Sequence, residues 1–485
     1  MICLTLSGPT IEQNLREFRD NRLYIDICEL RLDLLSPEEQ KKASSFPSLV
    51  DLPVILTCRR VCDGGKCSLT ERSRRALIIR TLEGGTFSYV DIEDDVKKND
   101  VENAAREKGV KIIRSYHDFE RVPEDIFSHI MSLSKRGDIA KIAVTPHSVQ
   151  DVLTLFRINE ELKDTEKIVI GMGDWGVCTR ILYKRMGSIL TFGSSVNRRG
   201  IAPGMISVRE LKELYRSDRI DERTGIYGVV GNPVMHSLSP MIHNPGFHAI
   251  NYNAVYVPFL SDSIRSFMML AEMLKMRGFS VTVPFKVDVL KYLGNITREV
   301  KQIGSCNTVI RVPNMWKGSN TDYYGFLSPI EDDIEKGRIK KALVIGAGGA
   351  SDAICWALTN RGIKVTILNR TLDKAKRLAL KNNAQYDSLE NAKKYEGWAD
   401  LIVQATKVGL SNEKESPIPD FVFTGNEIAY DIVYEPRKTA FLKAAEKKGC
   451  SLRYGLDMLL SQGKLQFESF TGYHYPKNLD PFTLK

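Results

Sequence analysis

Lys141 is the residue in this sequence whose setting most suggests chemistry. It sits in Ile139-Ala140-Lys141-Ile142-Ala143-Val144, with apolar neighbours on both sides along the chain. An amine held among apolar groups is easier to keep neutral than one in water, and a neutral amine can attack a carbonyl to form an imine. His117 follows the preceding apolar run, Lys111–Ser115. An imidazole titrating near neutrality is suited to removing the C–H proton that an imine makes acidic. Either residue alone also fits a structural role, as a strand-end lysine or a hydrogen-bonded histidine. Their placement on successive runs is what favours the chemical reading.

A second set lies further along. Ser237 and Ser239 stand two residues apart in Gly231-Asn232-Pro233-Val234-Met235-His236-Ser237-Leu238-Ser239-Pro240, so an extended chain turns both hydroxyls the same way, to stabilise a turn or to bind a polyol. Lys286 closes the run Val281–Lys286 and Asp322 closes Gly318–Asp322, which together read as a surface ion pair or as a proton-transfer dyad. Ala342–Ile345 runs into Gly346-Ala347-Gly348-Gly349-Ala350-Ser351 and then a helical segment, Asp352–Thr359. Backbone N–H groups and a helix N-terminus so arranged cradle a pyrophosphate. The next strand, Lys364–Leu368, ends in Asn369-Arg370-Thr371 rather than the acid that binds an NAD ribose. A guanidinium there favours a 2′-phosphate, and therefore NADP.

The elements that must position these groups show two rhythms. Before residue 214, strand-like runs occur at Ile2–Leu6, Leu23–Leu32, Val54–Cys58, Phe87–Ile92, Lys111–Ser115, Ile139–Val144, Ile168–Met172 and Ser188–Phe192. Helical periodicity follows most of them, as at Ser68–Leu82, Val122–Leu133 and Val149–Leu162. Eight β–α units in about 210 residues predict a (β/α)8 barrel over residues 1–214. Catalytic groups then belong at the carboxyl ends of the strands, where Glu29, Arg31, Arg59, Asp91, Glu93, His117 and Lys141 lie. The polar stretch Leu214–Gly225 reads as a linker whose flexible part is Arg216–Thr224. Beyond it, a two-lobed α/β unit is expected, with residues 225–330 and 450–485 forming one lobe and a Rossmann lobe at 335–449.

Composition excludes several classes. The chain has 485 residues, too many for one core, and no apolar run approaches the roughly 20 residues of a membrane helix. Its net charge of +9 is spread over faces shared with Glu and Asp, which marks a solvated surface suited to small anionic ligands rather than a nucleic-acid stripe. The nine cysteines form no C-x-x-C pair, and Cys62 with Cys67 makes a poor zinc site, so no metal is expected and a reducing compartment is. The opening MICLTLSG reads as a strand, which leads to the expectation of a cytoplasmic protein.

Glu29-Leu30-Arg31-Leu32-Asp33, Thr57-Cys58-Arg59 with Gly64-Gly65, Ser115-Tyr116-His117-Asp118-Phe119 and Lys141-Ile142-Ala143 resemble type I 3-dehydroquinate dehydratase. The resemblance implies an imine on Lys141, proton removal by His117, orientation of His117 by Glu93, ring-hydroxyl contacts from Glu29, Arg31 and Arg59, and a carboxylate held by Arg180. The family's S-A-P-G-Q loop reads Ile201-Ala202-Pro203-Gly204-Met205 here, which implies weaker substrate binding by about 1–3 kcal/mol with the chemistry retained.

The second half resembles shikimate dehydrogenase through Gly225–Asn244, Thr282 with Lys286, Gly304–Thr308, Asn320–Asp322, Gly346–Ala350, Asn369–Thr371, Ala405-Thr406, Asp431–Pro436 and Gly455–Gln462. That resemblance implies shikimate among Ser237, Ser239, Thr282, Asn307, Asp322, Tyr434 and Gln462, with Lys286 as acid/base. It implies NADP against Gly346, Ala347, Gly348, Gly349, Ala350, Asn369, Arg370, Thr371, Thr406, Ile432 and Gly455. Ser280 stands where the family more often has Asn. The function expected is a bifunctional shikimate-pathway enzyme acting on 3-dehydroquinate and then 3-dehydroshikimate. A metabolite-sensing regulator that has lost the chemistry, and a quinate dehydrogenase using NAD, are the alternatives.

Overall fold

A computed structural model describes residues 1–196, 204–410 and 412–482. Ile201, Ala202 and Pro203 of the altered loop lie outside the described residues. The described residues group into two compact units, Met1–Phe247 with Asn253–Lys275, and His248–Tyr252 with Met276 onward. The division thus falls inside the 225–330 stretch and not at the linker.

In the first unit the eight expected strands all form: β1 (Ile2–Leu6), β2 (Ile27–Arg31), β3 (Val54–Thr57), β4 (Tyr89–Glu93), β5 (Lys111–Asp118), β6 (Ile139–Val144), β7 (Lys167–Gly171) and β8 (Thr191–Gly193). They pair in parallel in the order β7-β6-β5-β4-β3-β2-β1-β8. An isolated parallel bridge between Lys167 of β7 and Ser188, three residues before β8, brings the ends of this order together into a nearly closed barrel. The second run is shorter than expected because Arg22–Tyr24 takes a 3-10 turn. Side chains alternate across each strand, and the inner set includes Cys3, Ile27, Ile55, Ile113, Ile139 and Ala143. That parity aims Thr5, Glu29, Arg59, Asp91, Glu93, Ser115, His117 and Lys141 into the barrel, at its carboxyl end.

The linker departs from its composition. Ser217, Ile220 and Thr224 are buried. Lys184 donates to the Asp218 carbonyl at 2.7 Å, and Arg185 to those of Asp221 and Glu222 at 3.2 Å. Backbone carbonyls captured by barrel cations hold Arg216–Thr224 against the barrel, so the segment is docked where composition predicts a flexible tether. The first unit continues through β9 (Gly225–Gly231), the helix Ser239–Ala249 as far as Phe247, β10 (Ala254–Leu260), parallel to β9, and the helix Ile264–Met273.

The second unit begins with β11 (Gly278–Val281), β12 (Asn295–Ile296), β13 (Thr308–Val312) and β14 (Met315–Ser319), in which β13 runs antiparallel to β11 and β14. A second sheet follows, made of β15 (Lys341–Ile345), β16 (Lys364–Asn369), β17 (Gln385–Ser388), β18 (Leu401–Gln404), β19 (Ile428–Asp431) and β20 (Ser451–Tyr454). Its order is β17-β16-β15-β18-β19-β20, all parallel. Ala342 and Val344 enter the core on one face, Leu343 and Ile345 the core on the other, as a sheet covered on both sides requires. In this doubly wound order the strand sequence reverses between β15 and β18, which opens a crevice beyond their carboxyl ends.

Candidate active sites

Lys141 stands among apolar residues along its strand, but not across the barrel. Its Nζ pairs with Asp91 Oδ2 at 2.8 Å and lies 4.4 Å from the centre of the Phe192 ring. Asp91 also accepts from Ser115 Oγ at 2.5 Å and pairs with Arg59 at 2.8 Å. Burial alone would push this carboxyl up; Arg59 and Lys141 outweigh burial and hold it well below the usual carboxylate range. Asp91 thus has a role that its strand-end position alone does not reveal. Its two-residue spacing from Glu93 is the available signal, because alternation sends both into the barrel.

Register lines up Glu93, Ser115 and Lys141 across β4, β5 and β6. The Glu93 carboxylate accepts from Arg59 at 3.2 Å and from Arg74 at 2.9 Å. His117 Nδ1 is sealed from solvent without a hydrogen-bond partner. Orientation of His117 by Glu93 is therefore not the arrangement found: two guanidinium groups compete successfully for the carboxylate. Burial, followed by the charges of Arg59 and Lys141, pushes the His117 imidazole well below its ordinary value. A neutral ring with a free nitrogen is the form a general base requires.

The remaining groups surround the same space. Glu29, midway along β2, accepts from Thr5 at 3.0 Å and from Thr57 at 2.8 Å, which fixes its carboxylate. Arg31 makes a two-pronged pair with Asp33 at 2.8 and 2.7 Å. Arg180, 2% exposed, comes from the helix Gly173–Ile181, and burial lowers its guanidinium to about 10. Glu29, Arg31, Arg59, His117, Lys141 and Arg180 line one cavity of about 610 Å³ including its open mouth, with Met205 on its wall. Its mouth is shaped by Arg59–Cys67. There Gly64 has φ +77°, and a Cβ on Gly65 would lie 2.2 Å from the Arg59 carbonyl oxygen. Both glycines are thus required by the chain path.

In the second unit, Lys286 Nζ meets Asp322 Oδ2 at 2.5 Å. Asp322 is 6% exposed, so this is not a solvated surface pair. Asn307 Nδ2 donates to Asp322 Oδ1 at 2.7 Å and Thr321 Oγ1 at 2.9 Å, while Thr321 N–H donates back to Asn307 at 2.8 Å. Asn307 also reaches Gln462 at 3.4 Å, on the final helix Gly455–Thr471. Asn307 and Gln462, 155 residues apart in the chain, thus meet. Gln466, one turn on, accepts from Ser280 Oγ at 2.8 Å and donates to Thr308 Oγ1 at 3.0 Å. Ser280 therefore serves a buried network, a role its place in the sequence does not reveal. Thr282 follows β11, and burial raises the Tyr434 hydroxyl. In the first unit, Ser237 Oγ donates to Ser239 Oγ at 3.1 Å, so the two hydroxyls do share a direction.

The glycine loop follows β15, and Ser351 Oγ accepts from the Gly348 N–H at 3.1 Å at the start of the helix Gly349–Asn360. A Cβ on Gly346 would lie 2.9 Å from the Ala405 carbonyl oxygen and from Thr406 Cγ2, which sets the loop against the end of β18. A Cβ on Gly348 or Gly349 would meet nothing within 4 Å. Ala347 and Ala350 pack on the sheet core. Arg370 is exposed after β16, where Asn369 Nδ2 caps the Thr371 carbonyl at 2.8 Å. On the opposite side, a Cβ on Gly455 would strike the Ile432 carbonyl oxygen at 2.4 Å. Open space along the loop and a guanidinium beyond the neighbouring strand fit a phosphorylated dinucleotide. Among the described residues, no cluster of His, Cys, Asp or Glu is placed to hold a metal ion.

A lysine–histidine barrel followed by a doubly wound nucleotide fold defines a lyase joined to an oxidoreductase. Family comparison agrees piece by piece: residues 2–222 match type I 3-dehydroquinase, 229–309 the shikimate dehydrogenase substrate-binding domain, and 330–413 shikimate/quinate 5-dehydrogenase. The chloroplastic bifunctional 3-dehydroquinate dehydratase/shikimate dehydrogenase of Arabidopsis thaliana is 32% identical over 99% of this chain and 83% of its own. The chain belongs to that bifunctional family. Its second half is 40% identical to the NADP(+) shikimate dehydrogenase of Caldanaerobacter subterraneus, over 54% of this chain and 96% of the relative. It is also similar to the crystal structure of shikimate dehydrogenase from Aquifex aeolicus, with a TM-score of 0.50 and 36% identity over 53% of this chain and 96% of the other.

Proposed function

We propose the following division of labour for this bifunctional enzyme of the shikimate pathway, which dehydrates 3-dehydroquinate to 3-dehydroshikimate and reduces that product to shikimate on the way to chorismate and the aromatic amino acids. Residues 1–214 carry the dehydratase, 225–330 with 450–485 the shikimate-binding lobe, and 335–449 the NADP lobe. Lys141 forms an imine with the substrate ketone. His117 removes the adjacent proton, and departure of water follows. Glu29, Arg31 and Arg59 bind ring hydroxyls, and Arg180 binds the carboxylate by its paired N–H groups. Asp91 and Glu93 act through Arg59, Ser115 and Lys141 to position the reacting groups. The observation that carries this reading is the single cavity onto which Lys141, His117 and the four polar binding residues converge. The same convergence argues against a regulator that has lost the chemistry.

In the second half, Lys286 exchanges a proton with the 3-hydroxyl, with Asp322 fixing its position. Ser237, Ser239, Thr282, Asn307, Tyr434 and Gln462 hold the substrate. Gly346–Ala350, Asn369, Arg370, Thr371, Thr406, Ile432 and Gly455 hold NADPH, which when bound supplies the hydride. Arg370 favours the 2′-phosphate and so disfavours the NAD-linked quinate alternative. Nine free cysteines support a reducing, cytoplasmic setting, and no helix among the described residues is long and apolar enough to cross a membrane.

Borohydride reduction in the presence of 3-dehydroquinate tests the first half. A covalent adduct on Lys141 is expected by peptide mass, and an adduct that persists in Lys141→Ala refutes the assignment. A coupled assay starting from 3-dehydroquinate and following NADPH loss tests both halves in sequence.

A further inference from the structure

The final helix turns two glutamines, Gln462 and Gln466, to the same face, four residues apart. Gln462 belongs to the proposed substrate site, whereas that reading leaves the buried Gln466 without a role. The Gln466 amide nitrogen donates to the Asn307 main-chain carbonyl at 3.2 Å and to Thr308 Oγ1 at 3.0 Å, while its amide oxygen accepts from Ser280 Oγ at 2.8 Å. Thr308 Oγ1 donates to Asn307 Oδ1 at 2.7 Å. Asn307 Nδ2 in turn donates to Asp322 Oδ1 at 2.7 Å, and Asp322 Oδ2 meets Lys286 Nζ at 2.5 Å. Resting on the reading of Lys286 and Asp322 as the proton-transfer pair, we propose that Ser280, Gln466 and Thr308 form a one-way hydrogen-bond relay that orients Asn307 toward Asp322. Gln466 is thereby a positioning residue of the reductase.

Main-chain groups dictate the sense of the relay. A carbonyl can only accept, so the Gln466 nitrogen must face the Asn307 carbonyl and its oxygen must face Ser280, which donates. A backbone N–H can only donate. That of Thr321 reaches Asn307 Oδ1 at 2.8 Å, so Asn307 must turn its nitrogen to Asp322. A hydroxyl carries one proton, and because Gln466 donates to Thr308, the Thr308 proton is left for Asn307 Oδ1. Every link then points from Ser280 toward the Asp322 carboxylate. Hydrogen bonds aligned in one sense polarise and strengthen one another.

The fold brings these groups together from three elements. Ser280 of β11 and Thr308 of β13 stand opposite one another in the antiparallel register, and the final helix lays Gln466 against both. Ser280, Thr308, Asn307 and Gln466 are all buried, so a lost partner leaves a polar group unpaired rather than hydrated. Gln466 holds Asn307 at two points, its carbonyl directly and its side chain through Thr308. Asn307 occupies one oxygen of Asp322 and Lys286 the other, so a turn of Asn307 releases the carboxylate that fixes the lysine. A proton-transfer group acts only within hydrogen-bond reach of its target, and misplacement by about 1 Å can cost up to roughly a hundredfold in rate.

The test is steady-state shikimate oxidation with NADP+ by full-length Ser280→Ala, Gln466→Met and the double variant, with Lys286→Ala beside them. Ser280→Ala removes a single oxygen, and Gln466→Met keeps the length of the side chain without its hydrogen bonds. A loss of kcat of about threefold is expected for Ser280→Ala and about tenfold for Gln466→Met, with KM for NADP+ and dehydratase activity at the parental values. The double variant is expected to match Gln466→Met, because a relay broken at one link gains nothing from the next. Parental kcat in Ser280→Ala, a loss confined to KM, or losses that multiply in the double variant would each overturn the proposal. Should Gln466→Met fail to fold, kcat of Ser280→Ala decides alone. Parental kcat in Lys286→Ala would instead remove the proton-transfer pair on which the relay acts, so the two failures are told apart.

Discussion

Replacement of Asp91 by asparagine isolates the charge network beneath Lys141. The Asp91 carboxylate is 1% exposed and faces two cations at 2.8 Å, Lys141 and Arg59. At an effective dielectric near 20, each such pair has a gross attraction of about 6 kcal/mol. Desolvation offsets much of this, and removing one partner of a buried pair typically costs about 3–5 kcal/mol because a buried charge is left uncompensated. The amide keeps the shape of the carboxylate and can still accept from Ser115, so cavity formation adds little. The expectation for Asp91→Asn is therefore a loss of about 3–5 kcal/mol in the barrel, or very roughly 6–20 °C in its unfolding temperature. Calorimetry on the full chain, with the reductase transition as reference, reads this directly. Dehydratase activity should fall and shikimate oxidation should not. Unfolding within about 0.5 kcal/mol of the parent, with dehydratase activity intact, would refute the view that this carboxylate holds the reacting lysine in place.

Other changes separate the two halves. Lys286→Ala should lose at least about a hundredfold of reductase kcat, as its proposed role as general acid/base requires, while dehydration proceeds unchanged; equal loss of both activities would contradict separate sites. Arg370→Ala should raise KM for NADPH about tenfold or more and leave that for NADH nearly unchanged, measured by steady-state kinetics. Gly455→Ala places a methyl 2.4 Å from the Ile432 carbonyl oxygen and should destabilise the nucleotide lobe by about 1–3 kcal/mol in urea unfolding. Burial raises the Asp431 carboxyl from 3.8 to about 6 despite bonds from Thr439 and the Val433 N–H. Between these values the folded chain binds the extra proton, so this contribution is fully present below 3.8 and is lost as pH rises through 6, by about 3 kcal/mol in all. Subtracting the urea stability of Asp431→Asn from that of the parent across roughly pH 3.5–7 should reveal that downward step, and a flat difference would exclude it.

Local pattern makes much of this protein readable. Eight apolar runs alternating with helical periodicity specify a barrel because each strand must bury both its faces, and all eight strands form. Period-two alternation also aims Glu29, Arg59, His117 and Lys141 inward, since the parity of a strand is a property of the chain itself. The glycines before the helix Gly349–Asn360 and Arg370 after the next strand announce a phosphate site for the same reason: backbone geometry and side-chain charge are carried by neighbours in sequence. Interactions between strands are not readable in this way. That Asp91 faces Lys141, that Arg74 donates to Glu93, that Gln466 meets Ser280, and that barrel cations capture the linker carbonyls all depend on which distant groups share a small buried volume. Sequence alone determined which groups are present and which way each strand turns them. Tertiary structure decided their partners, because a buried charge must find compensation among whatever neighbours the packed barrel supplies.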